Sequence, residues 1–228
     1  MSLYIIGDLH LSLSSDKPMD IFSGWTDYVE RMTENWKSKI HPADTVVVAG
    51  DVSWAMSLEE SLADLQFLND LPGRKLIIKG NHDYWWGTAR KMNAFFEEKG
   101  LSTLGILHNN CAQAEGKILC GSRGWIMEAG QAHNAKLIAR EAGRLEASLK
   151  AGEKLEGERI AVLHYPPVYG DQMVPEFIDL LLKYGVKRCY YGHIHGLAAR
   201  YALNGTYMDI RFELIAGDFI GFDPVLIP

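Results

Sequence analysis

Apolar runs and polar positions alternate in blocks along this chain, and the blocks repeat one form. Leu3 to Ile6, Thr45 to Ala49, Lys75 to Ile78, Arg159 to Leu163 and Val186 to Tyr191 are short and largely apolar. That pattern predicts strands buried on both faces. Stretches of helical period lie between them. Thr26 to Lys39 sets Val29, Met32, Trp36 and Ile40 on one stripe and stops before Pro42. Ser57-Leu58-Glu59-Glu60 has the form of a capping box and predicts a helix with Leu58, Leu62 and Leu65 on one face. Thr88 to Lys99 is ended by Gly100, and Pro175 suits the first position of a helix carrying Phe177, Ile178, Leu181 and Leu182. Gln131 to Lys150 is the longest helical stretch, with Ile138, Ala142, Leu145 and Leu149 in register and a charged, solvated face opposite. The middle differs. Leu104 to His108 and Lys117 to Gly121 predict an antiparallel pair across a polar turn. Thr206 to Ile215, and on to Ile227, is rich in strand signals.

Five of the apolar strands end in polar residues: Asp8 and His10, Asp51, Asn81 and His82, His164, and His193 with His195. In an open α/β sheet, ligands bind beyond the carboxyl ends of the strands. Strands running roughly parallel would bring all five groups to one edge. Gly80-Asn81-His82-Asp83 is the sharpest instance, because adjacent polar residues on a turn after a buried strand are badly placed for a core.

Composition changes this picture little. The chain has 228 residues, 47% hydrophobic and 23% charged, which predicts one globular domain over 1–228. The net charge of -6 and the absence of a basic run argue against an extended nucleic-acid footprint. Cys111, Cys120 and Cys189 have neither metal-knuckle nor redox spacing and predict buried free thiols in a reducing compartment. No secretory pattern and no apolar run of membrane-spanning length occurs, so a cytoplasmic location and no membrane partner are expected.

The converging set holds two carboxylates, one amide and five of the eight histidines. Aspartate, imidazole and carbonyl oxygen suit Mn, Fe, Zn or Ni. The donors are too many for one zinc ion and enough for two divalent ions. A carboxylate can face two cations at once, and Asp51, alone on its turn, is the best placed to bridge. Two such ions clamp the attacking and leaving oxygens of an in-line displacement at phosphorus and supply hydroxide at neutral pH. A histidine beside the metals but not bound to them would protonate the leaving oxygen.

Asp8-Leu9-His10, Gly50-Asp51, Gly80-Asn81-His82-Asp83, His164 and Gly192-His193-Ile194-His195 resemble the five ordered blocks of the calcineurin-like metallophosphoesterases. The resemblance implies an α/β fold, a four-layer αββα sandwich of two mixed β-sheets flanked by helices. It implies one ion held by Asp8, His10, Asp51 and His195, and another by Asp51, Asn81, His164 and His193. His82 is then the non-ligand histidine and the general acid. Protein phosphatases of the superfamily carry an aspartate and an arginine soon after the bridging aspartate, and Glu after the histidine. Here the stretch reads Asp51-Val52-Ser53-Trp54-Ala55-Met56, and Asp83 follows His82. The chain is more similar to the small bacterial phosphohydrolases of the superfamily than to those phosphatases.

Further residues have two readings each. Asn81 is a ligand or a turn residue. Trp54 and Trp85, with Trp86 and Trp125, form a wall for a planar group or pack between loops. Arg123, between Gly121-Ser122 and Gly124, grips a phosphate or is a plain surface arginine. His41, His108 and His133 read as structural or surface residues. The expected activity is hydrolysis of a phosphate mono- or diester on a small phosphorylated substrate, a nucleotide among the candidates. A nuclease or cyclic-nucleotide phosphodiesterase is the alternative on the same centre, and a non-catalytic scaffold is the remaining one.

Overall fold

A computed structural model of the chain describes residues 1–125 and 135–228. The first half alternates strand and helix: β1 (Leu3–Ile6), α1 (Tyr28–Lys39), β2 (Thr45–Val48), α2 (Leu62–Asp70), β3 (Arg74–Ile77), α3 (Ala89–Glu98) and β4 (Leu104–Ile106). A hairpin follows, β5 (Cys111–Ala114) with β6 (Lys117–Ser122). Then come α4 (Ala135–Ala151), β7 (Glu158–Leu163), the short pair β8 (Val168–Tyr169) and β9 (Gln172–Met173), α5 (Pro175–Lys183) and β10 (Arg188–Tyr191). A 3-10 turn over Gly196–Tyr201 precedes β11 (Gly205–Tyr207), β12 (Ile210–Leu214) and β13 (Val225–Ile227).

The strands form two large mixed sheets. One has the order β13-β1-β2-β3-β4 and the other β11-β12-β10-β7-β6-β5. Each has four parallel strands, with an antiparallel strand at one edge of the first and at both edges of the second. Side chains alternate between two cores, as strand geometry requires. Leu3, Ile5 and Val47 face Ile160, Val162, Tyr190 and Ile215 between the sheets. Ile6, Val46 and Val48 face outward onto Met32, Trp36, Leu65 and Phe95 of α1, α2 and α3. Ala161, Leu163, Tyr191 and Phe212 pack outward on Leu145, Leu149, Phe177 and Leu181 of α4 and α5. The layers therefore run helix, sheet, sheet, helix.

Three expectations change. Residues 104–108 do not pair with residues 117–121: β4 adds in parallel to β3, and the antiparallel partner of β6 is β5. The capping box closes only a turn, because Ser57 Oγ accepts from Glu60 N at 3.2 Å while the Glu60 carboxylate turns back to Met56 N. The helix begins after it, at Leu62. The charged side of α4 is not all solvated, since Glu141 is fully buried and ion-paired with Arg123, Arg140 and Arg144. The first turn expected for that helix, at 131–134, and His133 lie outside the described residues. Cys120 and Cys189 are buried, and all three cysteines are free. No described helix is long and apolar enough to cross a membrane.

Candidate metal centre

The parallel strands β1, β2, β3, β7 and β10 run directly into the five polar turns. Three of these turns bend sharply. Asp8, His10, Asp51 and His193 have φ of 58°, 45°, 51° and 72°. Non-glycine residues rarely occupy that left-handed region, and its use concentrates at functional sites. Two glycines let the turns approach one another. A Cβ on Gly80 would lie 2.1 Å from Asp51 Oδ1, and one on Gly192 would lie 2.2 Å from Asp8 Oδ2.

The donors meet as the sequence predicts. Asp8, His10 and His195 bring their ligating atoms within 4.8 Å of one another, and so do Asp8, Asp51 and His164. His10 Nε2 lies 3.7 Å and His164 Nε2 3.5 Å from Asp51 Oδ2, and His195 Nε2 lies 3.4 Å from Asp8 Oδ1. Asn81 Oδ1 sits 2.6 Å from His164 Nε2 and 2.9 Å from His193 Nδ1. Asp8, His10, Asp51 and His164 are all buried.

Charge and hydrogen bonding fit a cation. Burial holds the imidazoles of His10 and His164 below the ordinary range, and burial with the neighbouring His164 takes His193 down to about 3. Burial opposes ionisation of Asp8, but the hydrogen bond and charge of His195 hold its carboxyl well below the usual range. Asp51 is pushed up by burial, then by Asp83 and Asp8. Two carboxylates crowded in a dry site need positive charge. His164 Nδ1–H donates to Ala49 O at 3.0 Å, so the neutral ring presents its Nε2 lone pair to Asn81 Oδ1. Imidazole nitrogen and amide oxygen are both donors of the kind that ligate a divalent cation. Asp51 Oδ2 is buried with no hydrogen-bond partner.

His82 lies outside both donor groups. Its backbone N–H donates to Asp51 Oδ1 at 2.8 Å, and its ring packs on Trp54 at 4.4 Å between centroids. Trp54 also stacks on His10 at 4.9 Å. Burial lowers the His82 imidazole below its usual value. Asp83 is fully buried and accepts from Gly80 N, Asp51 N, Val52 N, Ser53 N and Trp85 Nε1 at 2.7–3.3 Å. It thereby ties the turn after β2 to the turn after β3. Trp85 is buried and serves that carboxylate. The Arg123 carbonyl accepts from His164 N and Tyr165 N, but its guanidinium is ion-paired with Glu141 at 3.1 Å and lies over Trp125. His108 packs edge-on against Trp86, and burial takes it down to about 4; His41 is exposed.

One residue at the centre escaped the sequence reading. Asp218 Oδ1 accepts from His195 Nδ1 at 2.8 Å, and Asp218 Oδ2 accepts from Gly196 N at 2.8 Å. This leaves His195 Nε2 to face Asp8. Burial alone would depress His195, but its bonds to Asp218 and Asp8 raise it to about 10. A signal was present: Ala216-Gly217-Asp218 after β12 repeats Ala49-Gly50-Asp51 after β2.

Comparisons with known proteins agree with this geometry. The phosphopantetheinyl hydrolase of Mycobacterium tuberculosis superposes with a TM-score of 0.58 at 16% identity, covering 99% of this chain and 95% of that one. TT1561 of Thermus thermophilus gives 0.56 at 16% identity over 86% and 83%. GAP50, described as the anchor in the inner membrane complex of Plasmodium, gives 0.54 at 12% identity over 96% and 72%. At such identities these likenesses establish the fold alone. Comparison with curated protein sequences gives no match. The family described as calcineurin-like phosphoesterase matches residues 1–197, a span that takes in every strand-end donor named above except Asp218. The chain belongs to that family, the metal-dependent hydrolases of phosphate esters.

Proposed function

We propose that the chain hydrolyses a phosphate mono- or diester with two divalent ions, of the set Mn, Fe, Zn or Ni, and with His82 as general acid. Asp8, His10, Asp51 and His195 would hold one ion; Asp51, Asn81, His164 and His193 would hold the other. When bound, such a pair neutralises charge at phosphorus and lowers the pKa of water enough to furnish the nucleophile. The observation that carries this reading is the convergence of two largely buried donor groups, Asp8, His10 and His195 and Asp8, Asp51 and His164, about Asp51 Oδ2, which is buried with no hydrogen-bond partner.

The chain's own groups supply the rest. Asp51 is directed by its two oxygens, one accepting from His82 N and the other facing His10 and His164. His82 has its ring clear of the ligand groups and braced by Trp54, where a carboxylate supports the acid in the protein phosphatases. From there it can pass a proton to the departing oxygen. A scaffold that only binds would need neither His82 nor the full donor set. The substrate is a small phosphorylated molecule, with a cyclic nucleotide or a nucleic-acid end as the alternative on the same centre.

The test is a panel under Mn²⁺ of alkyl and aryl phosphate mono- and diesters, cyclic nucleotides and single-stranded DNA. The enzyme's metal content is measured alongside. His82→Asn should keep its metal and lose about 10²–10⁴ in kcat on an alkyl ester, and much less on an aryl ester whose leaving group needs no proton. Asp51→Asn should lose metal and activity together. Full activity of His82→Asn on the alkyl ester would remove the acid role.

A further inference from the structure

Beside His82 the structure opens a cavity of about 400 Å³. Met19, Phe22, Trp25 and Trp54 form much of its wall, and His10, His82 and His195 line it where it meets the metal centre. The wall is built rather than incidental. Trp25 is buried and packs edge-on against His10 and His195, at 5.5 and 5.7 Å between centroids. Trp54 packs on both His10 and His82. Phe22 is half exposed at 53% and stands at the mouth. No lysine, arginine or carboxylate is among the lining residues described.

The surroundings continue this character. The loops after β1, β2, β3, β10 and β12 each carry an exposed large apolar side chain: Ile21, Met56, Tyr84, Leu197 and Phe219.

We infer that this cavity receives the leaving group of the ester, and that the leaving alcohol carries an uncharged, apolar body. This rests on the phosphoesterase reading above. The general acid must touch the departing oxygen, and His82 lines this cavity, so the group behind that oxygen lies within it. Away from the histidines of the metal centre the wall offers no lysine, arginine or carboxylate to pair with a charged group, which disfavours a sugar phosphate, a polyphosphate or a charged peptide as the leaving part. A flat ring and an alkyl chain share the chemistry the wall selects.

The experiment compares monophosphate esters of primary alcohols with similar leaving-group acidity: ethyl, hexyl and 2-(naphthyl)ethyl phosphate, with glycerol phosphate as the polar control. Under one metal, kcat/KM for the hexyl or naphthylethyl ester should exceed that for ethyl by at least about tenfold, since a hydrophobic pocket discriminates by that order per missing apolar group. Preference for naphthylethyl over hexyl identifies a ring as the natural occupant, and the reverse a chain. Phe22→Ser should shrink the ratio of hexyl or naphthylethyl to ethyl. Metal-free protein should bind 2-(naphthyl)ethanol with quenching of tryptophan fluorescence, more weakly in the same variant. Hydrolysis of all esters with ratios near one, or equal binding by Phe22→Ser, overturns the pocket assignment and leaves the phosphoesterase reading standing. No hydrolysis of any of these monoesters or of their methyl diesters, with any of the metals, overturns that reading and the assignment with it.

Discussion

Asp218 shows how much a single side chain outside the ligand set can decide. It fixes which nitrogen of His195 carries the proton, so Nε2 points at Asp8. Partners of this kind hold a ligand's tautomer and orientation, and losing one typically costs about 10–100-fold in metal affinity. Asp218→Asn should lower affinity by that order in calorimetric titration while leaving the circular dichroism spectrum unchanged. The sign of a pH effect follows as well. Asp218 and Asp8 stabilise the charged form of His195 against burial and raise it to about 10. An ion binding at its Nε2 displaces that proton, so affinity should rise with pH above neutrality. Calorimetry at pH 7.5 in buffers of different ionisation enthalpy should show protons released on ion binding, and fewer in Asp218→Asn. The candidate donors themselves were legible in the sequence, since each follows an apolar strand directly. Asp218 was not, because it carries no histidine of its own and acts through a residue 23 positions earlier. Nor could the sequence choose between the readings of Arg123, whose partner Glu141 belongs to a helix that reads as solvated.

At the scale of elements, the working part is a pair of turns sewn together. Asp83 accepts five N–H groups, three of them from residues 51–53 beyond β2 and one from Gly80 beyond β3. Buried donors left unpaired cost about 1–3 kcal/mol each. Asp83→Ala should therefore lower stability by several kcal/mol in urea titration and cost Asp51 its position, so that, on the proposed ligation, metal is lost as well. A variant that kept full metal content would show that the turns hold without Asp83. This stitching answers for the missing support of His82: its turn is fixed from below by Asp83 and its ring from the side by Trp54. Most of the longer elements were written plainly in the periodicity, whereas pairing was not. β4 and β6 are both apolar and close in sequence, yet they belong to different sheets. The true partner of β6 is Cys111–Ala114, a stretch too weakly patterned to announce itself as a strand. Buried parallel strands look alike whichever sheet receives them, because both faces are covered in either case.

Across the whole molecule, the centre sits on the seam between the two sheets. Asp8, His10, Asp51 and Asn81 come from the sheet built on β1, β2 and β3; His164, His193, His195 and Asp218 come from the sheet built on β7, β10 and β12. An ion bound there pulls the halves together in addition to the apolar layer of Ile5, Val47, Val162 and Tyr190. Chelation should lower Tm and readdition of Mn²⁺ restore it, with a gain of about 2.7 kcal/mol at a hundredfold excess over Kd for one site. Hydrogen exchange should show the loosening at the strand ends first. The four-layer architecture was expected from the resemblance. The allotment of strands to sheets was not, and the seam could not be located without it.

A centre assembled from both halves also ties the survival of the polypeptide to its surroundings. Proteases cut the opened form, and where reclosing is fast they sample its equilibrium population. Each tenfold rise in free ion above Kd shrinks that population about tenfold per site. The half-life of the chain under a nonspecific protease should thus lengthen with ion concentration well past the point at which turnover has saturated, so that the supply of metal governs how much enzyme persists as well as how fast each copy works.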